Sequence, residues 1–337
     1  MLRVLVIGVG GNVGVAIVKA LRSSTLDVKI LGACISEYSP GFALCDDSFL
    51  CPLADDKHFN KWLDMIISNE NVDIVLSGVE EVLVSLANFT LNSGSVKILL
   101  PPKQILETFT DKYATYKWFF ENNIDFPKSI KLNFNSKFEY LADLLGLPFI
   151  LKPRNGKGSS GVSLIYSEKD FLKINFDGTW IAQTYIAGDN NEYTCGVYRS
   201  YHGYTKVIVL ERTLKNGSTN FARVRTDEEE IIKYCCDIAS AIKLHVPFNI
   251  QLRKSKKDGK PLCFEINMRL SGTTFIRSQF GFPDLEAWIR EAITKVSCEK
   301  MFSTRQGIAL RYENEFFIDN IPKENLINLT KVRKDIT

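Results

Sequence analysis

Histidine is scarce in this chain. Only His58, His202 and His245 occur among 337 residues, so a zinc centre built on imidazoles is not expected. No two of the eight cysteines stand as a CxxC pair, which removes the zinc ribbon and the dithiol redox motif. They are scattered, several inside apolar runs, as buried free thiols would be. With no signal peptide, the reading is a protein of the reducing cytoplasm. A long basic block is also missing. KSKKDGK (254–260) is short and turn-like, and 42 basic against 39 acidic residues leave a net charge of +3. A nucleic-acid partner therefore has little electrostatic support. The apolar start LRVLVIGVG breaks into glycines too early to span a membrane. No Ser/His or Cys/His constellation suggests a side-chain nucleophile.

What is present is ordinary globular material, 45% hydrophobic and long enough for two or three domains. The first part alternates strand and helix signals. Buried-strand runs stand at 2–9, 28–35, 72–78 and 96–102, with helical spacing between them. That order predicts a parallel sheet with helices on both faces. Pro101 and Pro102 suit a domain edge. The second part is α+β: a helix over 111–123, a strand ending in LPFILKP, strands GVSLIYS and TWIAQTYIAG around a helix near 168–173, two further strands, and an acid-led helix EEEIIKYCCDIASAIKL. NIQLRKSKKDGKPLCFEINMRL reads as a hairpin with DG in its loop.

Two glycine clusters invite a chemical reading. GVGGNVG approximates a dinucleotide fingerprint, but Val13 occupies the third glycine position and Gly14 follows it. No acid ends the second strand. A tight strand-to-helix turn needs glycine in any case, so the cluster also fits a domain that lends walls to another site. The second cluster, LPFILKPRNGKGSSGVSLI, delivers Lys152 from a strand into a loop carrying Gly156, Gly158, Ser159, Ser160 and Gly161. Glycine-rich backbone can aim N–H groups at phosphate oxygens, with lysine supplying charge. In the hairpin, alternate side chains share a face, which groups Glu265, Asn267 and Arg269 against Phe264, Ile266 and Met268. A turn centred near Asp258 sets Gln251 opposite Glu265. The wet side of a half-exposed sheet would look similar. Here, however, it collects a carboxylate, two amides and a guanidinium with few lysines.

Taken in order, four segments resemble the ATP-grasp superfamily, in particular its carbamoyl-phosphate-synthase-like branch. They are TDKYATYKWFFENNIDFPKS, FILKPRNGKGSSGV, IAQTYIAGDNNEY and NIQLRKSKKDGKPLCFEINMRLSGTT. The resemblance covers roughly residues 100–320. It implies a Rossmann-like domain (1–102), a central ATP-grasp subdomain with the phosphate loop (103–182) and a C-terminal subdomain with the metal hairpin (183–337), ATP lying between the last two. It also implies an ADP-forming ligase that activates a carboxylate as an acyl phosphate and joins it to an amine. Both substrates would be small molecules, and a homodimer is compatible.

By the same resemblance Lys112, Lys152 and the loop Gly156–Gly161 would hold phosphates. Gln183, Thr184 and Ile186 would edge the adenine, and Glu192 would take the ribose. Gln251, Glu265 and Asn267 would bind Mg²⁺ or Mn²⁺. Arg269, with Lys152, would stabilise the reacting phosphoryl group. Two positions depart from the pattern. Gln183 and Gly196 stand where many relatives carry acids. Substrate candidates are Glu80, Glu81, Arg223, Ser271 and Gly272, with Arg212 and Arg225 nearby in sequence. A nucleotide-binding regulatory protein and an NAD(P)-dependent oxidoreductase are the alternatives.

Overall fold

The computed structural model describes residues 1–90, 96–156, 161–186 and 192–315. The Val- and Ile-rich runs at the start form strands that need not face water. Val4–Ile7 and Ile74–Ser77 are buried throughout. Strands β1 (Leu2–Ile7), β2 (Val28–Cys34), β3 (Asp47–Leu50), β4 (Ile74–Ser77) and β5 (Lys97–Ile98) make one parallel sheet in the order β3-β2-β1-β4-β5. Its helices are α1 (Asn12–Arg22), α2 (Phe59–Asn69) and α3 (Glu80–Ala87). Both faces are covered: Val4 and Val6 enter one core, while Leu5 and Ile7 enter another with Trp62 and Leu86. The sequence pattern had suggested four strands. β3 is the addition, a short edge strand whose Asp47 and Ser48 interrupt any apolar run.

The turn GVGGNVG is closed by packing. Gly8 has φ +92°, and a Cβ on Gly14 would sit 2.2 Å from the Gly8 carbonyl oxygen. These glycines let α1 lie against β1, and that need exists without any ligand.

A pair of helices follows, α4 (Lys103–Thr110) and α5 (Lys112–Glu121), where only the second was expected. Asp111 separates them and caps α5, accepting from the Tyr113 and Ala114 N–H groups at 2.8 and 3.2 Å. A small antiparallel sheet comes next: β6 (Ser129–Lys131), β7 (Phe149–Pro153), β8 (Ser163–Ile165) and β9 (Trp180–Thr184), ordered β6-β9-β7-β8. With α6 (Phe138–Leu145) and α7 (Glu168–Phe171) it has its own core around Phe149, Leu151 and Phe171.

The third sheet comprises β10 (Glu192–Arg199), β11 (Thr205–Lys215), β12 (Ser218–Arg225), β13 (Pro247–Lys254), β14 (Pro261–Asn267) and β15 (Ile308–Leu310). Its order is β14-β13-β10-β11-β12-β15, all pairs antiparallel. α8 (Glu229–Ile242), α9 (Thr274–Gln279) and α10 (Asp284–Thr294) complete it. One core joins this sheet to the first, with Val4 and Ile17 in the same cluster as Phe248 and Leu285. Among the described residues no helix is long and apolar enough to cross a membrane.

In the hairpin β13–β14, Gln251 pairs with Glu265 and Asn249 with Asn267, the register that polarity suggested. One expectation fails. Leu252 pairs with Cys263, so Phe264 is the extra residue of a β-bulge. The bulge turns Phe264 toward the same cavity as Glu265, instead of leaving it on the core face with Ile266.

Candidate active site

The second and third sheets face each other across a cavity of about 340 Å³. Its apolar walls include Ile150, Leu164, Ile186 and Phe264, a slot suited to a planar ring. Its charges are Lys112, Lys152, Glu192, Arg253 and Glu265. Lys152 rides on β7 and is only 6% exposed. Its ammonium donates to Gln183 Oε1 at 2.7 Å, and Gln183 Nε2 donates to Ser129 Oγ at 2.8 Å. Burial, with the neighbouring Lys112 charge adding to it, pushes Lys152 down to about 8. Lys112 opens α5 and donates to the Gly156 carbonyl at 2.9 Å. Burial lowers its pKa too, against the pull of Glu265 and Glu80.

A line of polar side chains crosses the third sheet. Glu192 accepts from Arg212 at 2.5 Å and from Arg253 at 3.2 Å. Arg212 also donates to Gln251 Oε1 at 2.7 Å. Gln251 Nε2 and Asn267 Nδ2 both donate to Glu265 Oε1, at 3.1 and 2.9 Å. Both bonds therefore converge on one carboxylate oxygen. Glu265 Oε2 and Asn267 Oδ1 have no hydrogen-bond partner among the described residues. These two hard oxygens fit a divalent cation that shares its remaining positions with phosphate. Gln251 is already committed through its oxygen to Arg212, so it holds Glu265 in place. No group of three or more His, Cys, Asp or Glu suited to a metal occurs among the described residues.

A second cavity, about 130 Å³, adjoins the first, and Glu265 lines both. Arg269, Ser271 and Gly272 line it, and so do Asn12 and Val13 from the N-terminal glycine turn. Arg269 is held by Glu80, its Nη2 lying 2.9 Å from Oε1. Glu80 thus reaches the site through Arg269, whereas Glu81 is exposed and lines neither cavity.

The remaining expectations divide. Thr184, Ile186 and Gly156 line the large cavity, while Gly161 packs over Pro153. Gly158, Ser159 and Ser160 lie outside the described residues. Arg223 does not belong to the site. It pairs with Glu211, next to Arg212, and so projects from the opposite face of the sheet, stacked over Phe221. Arg225 shares that far face, bound to Glu211 and Asp227. Sequence reasoning missed Arg253 and Asn249, although both alternate with Gln251 on β13 and strand period alone would have found them. It also missed Asn12, which no local pattern marks.

The family model for ATP-grasp in the biosynthetic pathway with Ter operon matches residues 177–316, and the PylC-like N-terminal domain model matches residues 4–99. N5-carboxyaminoimidazole synthetase from Staphylococcus aureus, complexed with ADP, superposes with a TM-score of 0.67 at 18% identity, over 82% of this chain and 73% of that one. An L-amino acid ligase from Bacillus licheniformis gives 0.68 at 16% identity, over 91% and 78%. At such identities the likeness shows the fold. An uncharacterized protein of Mycoplasma genitalium is 24% identical over 161 residues, 47% of this chain and 50% of its own length. The match thus spans about half of that relative.

Proposed function

We propose that this chain, whose residues 177–316 match an ATP-grasp family model, is an ADP-forming ligase joining a small carboxylate to an amine. One observation carries the reading: Glu265 lines both the nucleotide-sized cavity and the smaller one beside it. A nucleotide in the first and a carboxylate in the second would meet at this residue. In that arrangement the apolar slot takes adenine, Glu192 receives the ribose hydroxyls, and Lys112 and Lys152 face the phosphates. Mg²⁺ or Mn²⁺ held by Glu265 and Asn267 would neutralise phosphate charge.

The substrate carboxylate then attacks the γ-phosphorus. The bond to the β,γ-bridging oxygen breaks, ADP leaves, and an acyl phosphate remains. The amine adds to the acyl carbon and inorganic phosphate departs. Lys152, on its buried strand, and Arg269, fixed by Glu80, place positive charge where negative charge develops. No protein nucleophile is required by these steps.

Thermal unfolding with Mg²⁺ and ATP, compared with NAD⁺ and NADP⁺, tests the nucleotide. Native-state binding at a hundredfold excess over Kd stabilises by ~2.7 kcal/mol. Glu265→Gln should remove carboxylate-dependent ADP release and leave the circular dichroism spectrum unchanged. A fully active Glu265→Gln enzyme would sink the assignment.

A further inference from the structure

Asn249 is 1% exposed, yet it lines the smaller cavity. Its cross-strand neighbours on one face are Gly196 and Asn267. The missing side chain at Gly196 is what admits Arg277. A Cβ there would lie 2.3 Å from Arg277 Cδ. Arg277 is fully buried, paired with Asp284, and directs its Nη1 to Asn249 Oδ1 at 3.5 Å and Ser271 Oγ at 3.0 Å. Thr194 Oγ1 also donates to Asn249 Oδ1, at 3.0 Å. A guanidinium can only donate, so it fixes which end of the amide faces it. The Asn249 Nδ2 group is the end left over. It has no hydrogen-bond partner among the described residues. Asn249 lines the cavity, so this donor is the end of the amide that can meet an acceptor on a ligand there.

The rest of the wall narrows that ligand. Asn12, Ser218, Thr219, Ser271 and Thr273 bring amides and hydroxyls, groups that both donate and accept. Among the described residues Val13 is the one aliphatic side chain in the wall, and Glu265 the one carboxylate. An apolar side chain has little to pack against. An ammonium group has no acid to receive it apart from Glu265.

We propose that the substrate activated in this cavity is a small hydroxylated carboxylate, and that Asn249 reads it by donating its Nδ2–H to a substrate oxygen. This rests on the ligase reading above.

The test is Mg²⁺-ATP-dependent ADP release with hydroxy acids (glycerate, malate, tartrate) against apolar amino acids (leucine, phenylalanine), hydroxylamine serving as the amine. At least one hydroxy acid should outperform both apolar amino acids. Asn249→Asp keeps an acceptor for Arg277 and Thr194 but replaces the donor. It should raise KM for the hydroxy acid by about ten- to a hundredfold, with ATP affinity unchanged. Ser218→Ala, at the rim, serves as a second variant and should raise the same KM about threefold or more. Preference for leucine or phenylalanine, no response to any hydroxy acid, or an unchanged KM in Asn249→Asp would overturn this inference alone. Failure of the wild-type protein to bind ATP would instead overturn the ligase reading.

Discussion

Nucleotide affinity should fall with rising pH through the physiological range, and Lys152 is the reason. The side chain is buried on β7, and its one hydrogen-bond partner among the described residues is the neutral amide of Gln183. Burial brings it down to about 8 from the usual lysine value. Phosphate oxygens in the cavity would favour the charged form, so binding takes up a proton wherever the free enzyme has lost it. The direction follows: below pH 7 the lysine is charged in both states and affinity is flat. Above pH 8 the free enzyme is increasingly neutral and affinity drops. The competent fraction is roughly 0.9 at pH 7 and roughly 0.1 at pH 9, so Kd should weaken about tenfold between them. At pH 8 about half a proton should enter per nucleotide bound. Calorimetry in buffers of different ionisation enthalpy measures both quantities. Gln183→Glu places an acid beside Lys152, keeps it charged, and should flatten the profile to pH 9. A wild-type Kd that does not change from pH 7 to 9 would refute the reasoning.

Further outcomes concern the wall behind the smaller cavity. Gly196→Ala forces a Cβ against Arg277 Cδ and Nε, at 2.3 and 2.6 Å. It should cost ~1–3 kcal/mol in urea unfolding through overpacking, and an unchanged midpoint would show that Arg277 can move aside. Asp284→Ala strips the partner from a guanidinium with no exposure. The expected loss is ~3–5 kcal/mol, measured the same way. Asp284→Asn should lose less, since the amide oxygen can still accept.

Much of this protein was legible before folding. The β/α alternation followed from Val/Ile runs separated by helical spacing, because apolar periodicity is a local property. The order Lys112, Lys152, Glu192, Gln251, Glu265, Asn267 and Arg269 resembled a known superfamily, and period 2 along the hairpin grouped the last four. What local pattern could not reach was anything decided by two distant segments. Phe264 joined the cavity only because one extra residue opposes β13. Arg223 left the site because its partner Glu211 fixed which face it took. Asn12 stands 206 residues from Ser218 and meets it across the first and third sheets. Asn249 Nδ2 is left without a partner among the described residues because Arg277 fills the space above Gly196. Sequence determined which chemistry the chain carries, since residue type and short-range period are written along it. Tertiary structure alone decided which of those groups are already satisfied and which still need a partner, since hydrogen bonds between distant segments form only when the sheets come together.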